Sequence, residues 1–255
     1  MVYIIANTKG GVGKTTTAVN LATLLAFREK KFKIVELDNS NNSMIFSNSE
    51  ILNQDTAVSL QLDQKTRALG SMMFNLAKNK DMDFILDLGG GDDSKVMIES
   101  LKEIDLPKTW IIPTTSDKKY LKNAADTFKL IADSQNTIFV LNKANSQNHK
   151  TEFMYFFGSQ KYGVKMADEC FENAKYFVVQ SSPFFQIAED DEQTLLDLAM
   201  LSIEKNEQEV TAEFIKMAGD DEAVFIGLWE KYEKSKEAAK LFLQIQKNAK
   251  KVLKI

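Results

Sequence analysis

Short apolar runs alternate with segments of helical spacing through the first two thirds of the chain. Six runs are rich in β-branched and aromatic residues, and they lie at residues 2–6, 33–37, 83–88, 110–112, 137–141 and 176–179. Between them apolar residues recur every three or four positions, as at Ala18, Leu21, Ala22 and Leu25. Such runs are typical of buried strands, and such spacing is typical of amphipathic helices. The alternation predicts an α/β fold, a mostly parallel sheet flanked by helices, with binding loops at the carboxyl ends of the strands.

The pattern changes near residue 205. No strand-like run follows that point, and Gly219-Asp220-Asp221 separates two helical stretches. We therefore predict a strand-and-helix domain at residues 1–205 and a helical C-terminal extension at residues 206–255. From Gly227 onward the chain has eight lysines and three glutamates, so the end of the extension is basic while the remainder is acidic.

A glycine-rich segment joins the first apolar run to the first helical segment. Its residues are Lys9, Gly10, Gly11, Val12, Gly13, Lys14, Thr15 and Thr16. Glycines let main-chain N–H groups converge, and the following helix adds the positive end of its dipole, so the segment predicts a phosphate-binding loop. In such a loop Lys14 neutralises phosphate oxygens and the Thr15 hydroxyl binds Mg²⁺. The usual spacing has glycine at position 8, whereas this chain has Thr8 and an additional lysine, Lys9.

Residues 9–22 resemble the deviant phosphate loop of the ParA/MinD family of ATPases, including the helix after the loop. The resemblance implies ATP and Mg²⁺ as cofactors, held by the loop residues 10–16. In that family the first lysine of the loop reaches across a dimer interface to the partner's nucleotide. By resemblance we assign this role to Lys9 and expect a homodimer in the ATP-bound state.

Two carboxylates end predicted strands near this loop. Asp38 follows run 33–37, and the family aspartate that it resembles orients the attacking water. Asp87 resembles the family's second acidic strand end, whose carboxylate holds a water on Mg²⁺. The resemblance therefore implies Lys9, Lys14 and Asp38 as catalytic residues and Thr15, Asp38 and Asp87 as the metal site.

Both acidic segments depart from the family pattern. Pro-Gln normally follows the first aspartate, but Asn39-Ser40 follows here, and a loop aspartate capping the next turn is the alternative for Asp38. Three glycines, residues 89–91, follow Asp87. Such a loop changes conformation at little cost and suits a switch. The alternative is a tight turn into a helix that starts near Ser94, with Asp92, Asp93 or Ser94 as its cap.

Asn142 and Pro183 are the candidates for contact with the base. The segment 142–145 superficially resembles the N-K-x-D element of GTPases, but it ends in Asn145. A neutral amide cannot accept two guanine N–H groups as a carboxylate does, so adenine is favoured. By resemblance Asn142 supplies the hydrogen-bonding side chain, and the segment 181–184 lies where related ATPases wrap main chain around the base. An ordinary exit from the strand explains that segment as well.

Composition narrows the classes of function. With 255 residues, 44% apolar and 27% charged, the chain is long and apolar enough for a substantial core and is not a disordered protein. A net charge of −4 excludes a uniformly basic nucleic-acid binder, so any such contact is local. Cys170 is the single cysteine, and no apolar stretch approaches the ~20 residues of a membrane-spanning helix. We expect a cytoplasmic location, with nucleoid association if the protein binds DNA.

The end of the chain contains one apolar stripe among lysines. The stripe is formed by Ala238, Leu241, Phe242, Ile245, Ala249 and Val252. Three interpretations remain open: a helix packed on the domain, a basic face on DNA phosphates, and a helix on a membrane surface, the last being the least favoured.

These features together predict an ATP-dependent dimerising switch ATPase. The resemblance implies ParA-like plasmid or chromosome partitioning, with non-specific DNA binding and a centromere-binding protein that stimulates slow hydrolysis. The alternatives are a MinD-like membrane-associated positioning ATPase, a metabolic phosphate-loop enzyme acting on a small substrate, and a scaffold that binds nucleotide without hydrolysis.

Overall fold

The computed structural model describes residues 1–37, 46–59, 70, 74, 78, 79, 81–146 and 148–253. Within these residues a seven-stranded sheet has the order β3-β2-β4-β1-β5-β6-β7, and every strand pair is parallel. The strands are β1 (Val2–Ile5), β2 (Phe32–Leu37), β3 (Ala57–Ser59), β4 (Asp83–Leu88), β5 (Lys108–Thr114), β6 (Thr137–Ala144) and β7 (Lys175–Gln180). The six predicted strands are confirmed. The edge strand β3 was not predicted, because three residues are too few to show a period.

Helices cover both faces of the sheet. They are α1 (Lys14–Ala26), α2 (Asp92–Lys102), α3 (Lys118–Ile131), the single-turn α4 (His149–Glu152) and α5 (Met154–Phe157), α6 (Pro183–Asp190), α7 (Leu195–Glu204), α8 (Glu207–Ala218) and α9 (Glu222–Ala249). The predicted α/β fold class, a parallel sheet flanked by helices, is confirmed. None of the helices within the described residues combines the length and the apolar content needed to cross a bilayer.

The pleat of the strands divides the core into two layers. Tyr3 and Ile5 point to the face covered by α1, α7 and α9, whereas Val2 and Ile4 point to the face covered by α2, α3 and α5. Because both faces are buried, the central strands are almost continuously apolar, which is why they were visible in the sequence.

The strand order determines which loops meet. β1 lies between β4 and β5, and Ile5 pairs with Asp87 in the β1–β4 register. In the neighbouring pair Leu37 lies opposite Leu88. The glycine-rich loop after β1 and the end of β4 are therefore adjacent at the carboxyl edge of the sheet, where parallel α/β sheets bind ligands.

The apolar stripe of the C-terminal extension lies inside the protein. Its first five residues are buried and belong to the same core layer as α1, and Val252 is half-buried against that layer. Phe242 meets Phe27 edge to face at a centroid distance of 5.1 Å, and Asn248 Nδ2 donates to the Val178 carbonyl of β7 at 3.2 Å. Of the three interpretations of the stripe, the structure therefore shows the first, a helix packed on the domain. The predicted boundary at residues 205/206 falls between α7 and α8, and the division into two domains stays a prediction.

Candidate nucleotide-binding site

The glycine-rich loop is held in a tight turn between β1 and α1. Gly11 and Gly13 have φ of 76° and 86°, a left-handed conformation that glycine adopts without strain. The Lys14 ammonium donates to the Lys9 carbonyl at 3.1 Å, across the loop. The Lys14 side chain therefore folds back over the loop, whose main-chain N–H groups and following helix N-terminus suit a phosphate group.

Asn7 and Thr8, which directly precede the loop, hold its first residues in place. Asn7 is completely buried; its Nδ2 donates to the Pro113 carbonyl of β5 at 2.9 Å, and its Oδ1 accepts from the Lys9 N–H at 2.9 Å. The Thr8 N–H donates to Thr127 Oγ1 on α3 at 3.3 Å. Sequence reasoning missed Asn7. A polar residue between a buried strand and a glycine loop was the available signal, because a buried amide must find partners.

Asp87 lies directly beside the first turn of α1. The Thr15 hydroxyl donates to Asp87 Oδ2 at 2.9 Å, and Asp87 is only 4% exposed. A hydroxyl and a carboxylate brought together at the end of a phosphate loop are the hard oxygen groups that suit Mg²⁺. The donor set thus fits the metal assignment of Thr15 and Asp87, whereas Asp38 lies outside the described residues.

The three glycines after Asp87 contact both neighbouring strand ends. The Gly89 N–H donates to the Leu37 carbonyl of β2 at 2.9 Å, and the Gly91 N–H donates to the Thr8 carbonyl at 3.0 Å. A Cβ on Gly90 would lie 3.7 Å from both the Gly10 nitrogen and the Lys14 ammonium nitrogen. The segment of three glycines therefore rests on the phosphate loop.

Ser94 does not cap the helix that follows. α2 begins at Asp92, its N-cap is Gly91, and no side chain caps that position. The buried Ser94 hydroxyl instead donates back to the Gly89 carbonyl at 2.5 Å, which fastens the glycine loop to the helix.

An open pocket of about 400 Å³ joins these groups. It is lined by Gly10, Gly11, Gly13, Lys14, Thr15, Thr16, Asp87, Leu88, Gly89, Gly90 and Lys143. The lining combines main-chain N–H groups, a helix N-terminus, two lysines and the Thr15–Asp87 pair, which is the chemistry of a phosphate–metal site.

A protein-family model for the CobQ/CobB/MinD/ParA nucleotide binding domain matches residues 3–176. The chain belongs to this family. The predicted resemblance to ParA/MinD proteins is thereby confirmed.

Individual members of the nucleotide-binding family share only part of this chain or only its fold. The chromosome-partitioning ATPase Soj of Thermus thermophilus is 56% identical over 39 residues, which are 15% of this chain and 16% of Soj. The chain matches less than a fifth of the length of its curated relatives. Cyanothece apo McdA superposes with a TM-score of 0.56 at 16% identity, covering 91% of this chain and 99% of McdA. A chain of the MinC:MinD cell division protein complex of Aquifex aeolicus superposes with a TM-score of 0.54 at 16% identity, covering 77% of this chain and 88% of that one.

The predicted interface lysine, Lys9, and the two predicted base contacts, Asn142 and Pro183, lie in three different environments. Lys9 is half-buried, and among the described residues no partner accepts a hydrogen bond from its ammonium. Asn142 is buried behind the loop, where its Nδ2 donates to the Val12 carbonyl at 3.2 Å and its Oδ1 accepts from the Lys143 N–H at 3.0 Å. Asn142 therefore braces the loop. Pro183 is the first residue of α6 and does not line the pocket.

Lys143 is a residue of the ParA/MinD-type pocket that sequence reasoning did not assign. It is exposed, has φ of 56°, and lies where the β6–β7 register shifts between Leu141 and Ala144. The left-handed conformation turns the strand end and places Lys143 in the pocket lining. Its position one residue after Asn142 was the only sequence signal.

Proposed function

We propose that this protein is an ATP-dependent, dimerising switch ATPase of the ParA type. The observation that carries the proposal is the glycine-rich loop, with the Lys14 ammonium bound to its Lys9 carbonyl and the Thr15 hydroxyl bound to Asp87. Membership of the nucleotide-binding family supports ATP as the ligand of this pocket.

Each site residue has a defined task in this proposal. When bound, Mg²⁺-ATP supplies the phosphoanhydride bond that is hydrolysed and the metal charge that neutralises it. The Lys14 ammonium would exchange the Lys9 carbonyl for phosphate oxygens, and Thr15 and Asp87 would hold Mg²⁺, the carboxylate of Asp87 acting through a water. The Asp38 carboxylate would orient the attacking water. Thr16 and the loop N–H groups hold the remaining phosphate oxygens.

Lys9 completes the site of a second copy. Its main chain is fixed by Asn7, while its ammonium has no partner among the described residues. A lysine anchored at the backbone and unpaired at its tip is suited to reach an anion on a facing subunit. The dimer then lasts as long as the triphosphate, and the nucleotide times assembly.

Chromosome or plasmid partitioning is the cellular role that we propose. The support is similarity to Soj, which is named as a chromosome-partitioning ATPase. Exposed lysines on the last turns of α9 and directly after it, at positions 240, 247, 250 and 251, offer a surface for DNA phosphates. Lipid insertion would require the buried stripe of α9 to leave α1 and β7, so DNA is favoured over membrane. A centromere-binding activator completes the proposal.

The dimer is tested by size-exclusion chromatography with light scattering, in ATP and in ADP. We expect a dimer in ATP, a monomer in ADP, and a monomer under both conditions for Lys9→Ala. Lys122→Ala, an exposed lysine on α3, is the matched control and should dimerise normally. Failure to dimerise in ATP, or a dimer indifferent to Lys9, contradicts the switch. A monomer with rapid turnover on an added metabolite would indicate a metabolic enzyme instead.

DNA binding is tested with a random-sequence duplex at several salt concentrations. Replacing Lys247, Lys250 and Lys251 by Gln should weaken binding and reduce the slope of log K against log salt by up to about 3, since each phosphate contact contributes about 0.9. Gln at Lys31, Lys122 and Lys161, three exposed lysines elsewhere, is the charge-matched control. Equal losses in the two variants contradict a DNA-binding face at the end of α9.

A further inference from the structure

Helices α8 and α9 form a hairpin with a small core of its own. The hairpin, defined here as residues 207–232, buries Val210, Phe214 and Tyr232. Its own Phe225, Leu228 and Trp229 pack around them, together with Leu201 of α7. The Trp229 ring stacks on the Phe225 ring at a centroid distance of 6.1 Å and contacts the Tyr232 ring at a centroid distance of 5.5 Å. This cluster is separate from the two layers that enclose the sheet, so the hairpin presents a preformed surface.

Large apolar side chains are concentrated on the outside of this hairpin. Near the connection between its helices the exposed fractions are 56% for Ile215, 60% for Met217, 44% for Val224 and 49% for Ile226. Elsewhere in the described ranges, exposed large apolar residues are scattered through the chain: Met1, Phe74, Val96, Tyr162 and Leu243. Single exposed residues are normal, whereas a local concentration is typical of an interaction surface.

The same hairpin is strongly acidic. Residues 207–232 contain seven acidic and two basic side chains, a net charge of −5, although the whole chain has −4. Asp220, Asp221 and Glu222 surround the connection, and with Ala218, Ala223 and Ile226 they line a shallow depression there. Apolar side chains are thus bordered by carboxylates, an arrangement that favours cationic amphipathic ligands over anionic ones.

We propose that the α8–α9 hairpin is the docking surface for a basic amphipathic segment of another protein. Lysine or arginine side chains of the segment face Asp220 and Glu222, and its apolar residues cover Ile215 and Ile226. DNA and anionic lipid are disfavoured because the hairpin repels their phosphates. Pairing of two copies through this hairpin is also disfavoured, because it would bring together two surfaces that each have a net charge of −5. The proposal does not depend on nucleotide binding.

The experiment measures peptide binding to the full chain by fluorescence anisotropy. The lysine probe is a labelled 18-residue helical peptide with leucine at positions i, i+3, i+4 and i+7 and lysine elsewhere. The glutamate probe is the same peptide with every lysine replaced by glutamate. We expect the lysine probe to bind and the glutamate probe not to bind. Asp220→Asn with Glu222→Gln, and separately Ile215→Ser with Ile226→Ser, should each weaken binding at least about tenfold. Asp221 stays unchanged because it caps α9.

A matched variant separates docking from general attraction to an acidic protein. Val96→Ser with Glu99→Gln and Glu103→Gln removes one exposed apolar and two acidic side chains near α2. This variant should bind the lysine probe as the unchanged chain does. Equal weakening by the α2 variant, equal binding of both probes, or no binding at all overturns the proposal. So does sedimentation velocity that shows self-association of the chain lost in the Ile215/Ile226 variant, because the occupant is then a second copy.

Discussion

Gly13→Ala tests whether Asn142 braces the phosphate loop. A Cβ on Gly13 would lie 1.8 Å from Asn142 Nδ2, so the carboxamide must move away. Moving it breaks its hydrogen bond to the Val12 carbonyl and leaves buried groups unpaired, at a cost of about 1–3 kcal/mol. Alanine in the left-handed conformation of Gly13, with φ of 86°, adds roughly 1–2 kcal/mol. We expect Gly13→Ala to lower the free energy of unfolding by about 2–5 kcal/mol in total.

The Asn142→Ala background separates the two contributions. Asn142→Ala already gives up the hydrogen bonds, so adding Gly13→Ala should cost only the conformational strain of roughly 1–2 kcal/mol. The double variant is therefore more stable than the sum of the single effects predicts, by about 1–3 kcal/mol. Urea unfolding of the four proteins measures this coupling, and titration with a fluorescent ATP analogue should show weaker binding in all three variants. Gly13→Ala costing the same in both backgrounds would refute the bracing role.

Three further predictions address the metal site, the tail and the cysteine. Asp87→Asn should weaken the Mg²⁺-dependent part of ATP binding at least about tenfold, measured by calorimetry with and without Mg²⁺; Asp126→Asn, an exposed control, should not. Phe242→Ala should lower the free energy of unfolding by about 3–5 kcal/mol in urea titrations, because Phe242 is fully buried against Phe27, whereas the exposed Leu243→Ala should change it little. Burial, with the Asp168 carboxylate nearby, raises the pKa of Cys170 to about 12, so at pH 8 the thiol stays protonated. Iodoacetamide should therefore react with Cys170 about a hundredfold more slowly in the folded chain than in the unfolded chain. Equal rates would contradict the buried environment of the thiol.

Features that follow from one local pattern were predictable from the sequence. The central strands were visible because burial on both faces makes them continuously apolar. The phosphate loop was visible because its glycines, Lys14 and Thr15 lie together in the chain. The neighbouring position of Asp87 followed from a parallel sheet, in which strand ends meet at one edge.

Features that depend on distant partners were not predictable. The orientation of Asn142 requires β6 to pass behind the loop, a relation between residues 130 positions apart. Asn7 has its role because β5 offers the Pro113 carbonyl, and Lys143 enters the pocket through an irregular strand end. In the C-terminal extension, the apolar stripe was recognised from the sequence. The surface that covers it could not be predicted, because periodicity shows that a helix face is apolar without showing what packs against it.

The position of α9 against α1 has a consequence for how the chain matures. The helix near the start of the chain lacks part of its cover until residues 238–249 emerge from the ribosome more than two hundred residues later. Contacts of such long sequence separation form late and leave apolar surface open in the meantime. Nascent chains and C-terminal truncations that stop before residue 238 should therefore be chaperone clients, and a shortened version for biochemical work should keep all of α9.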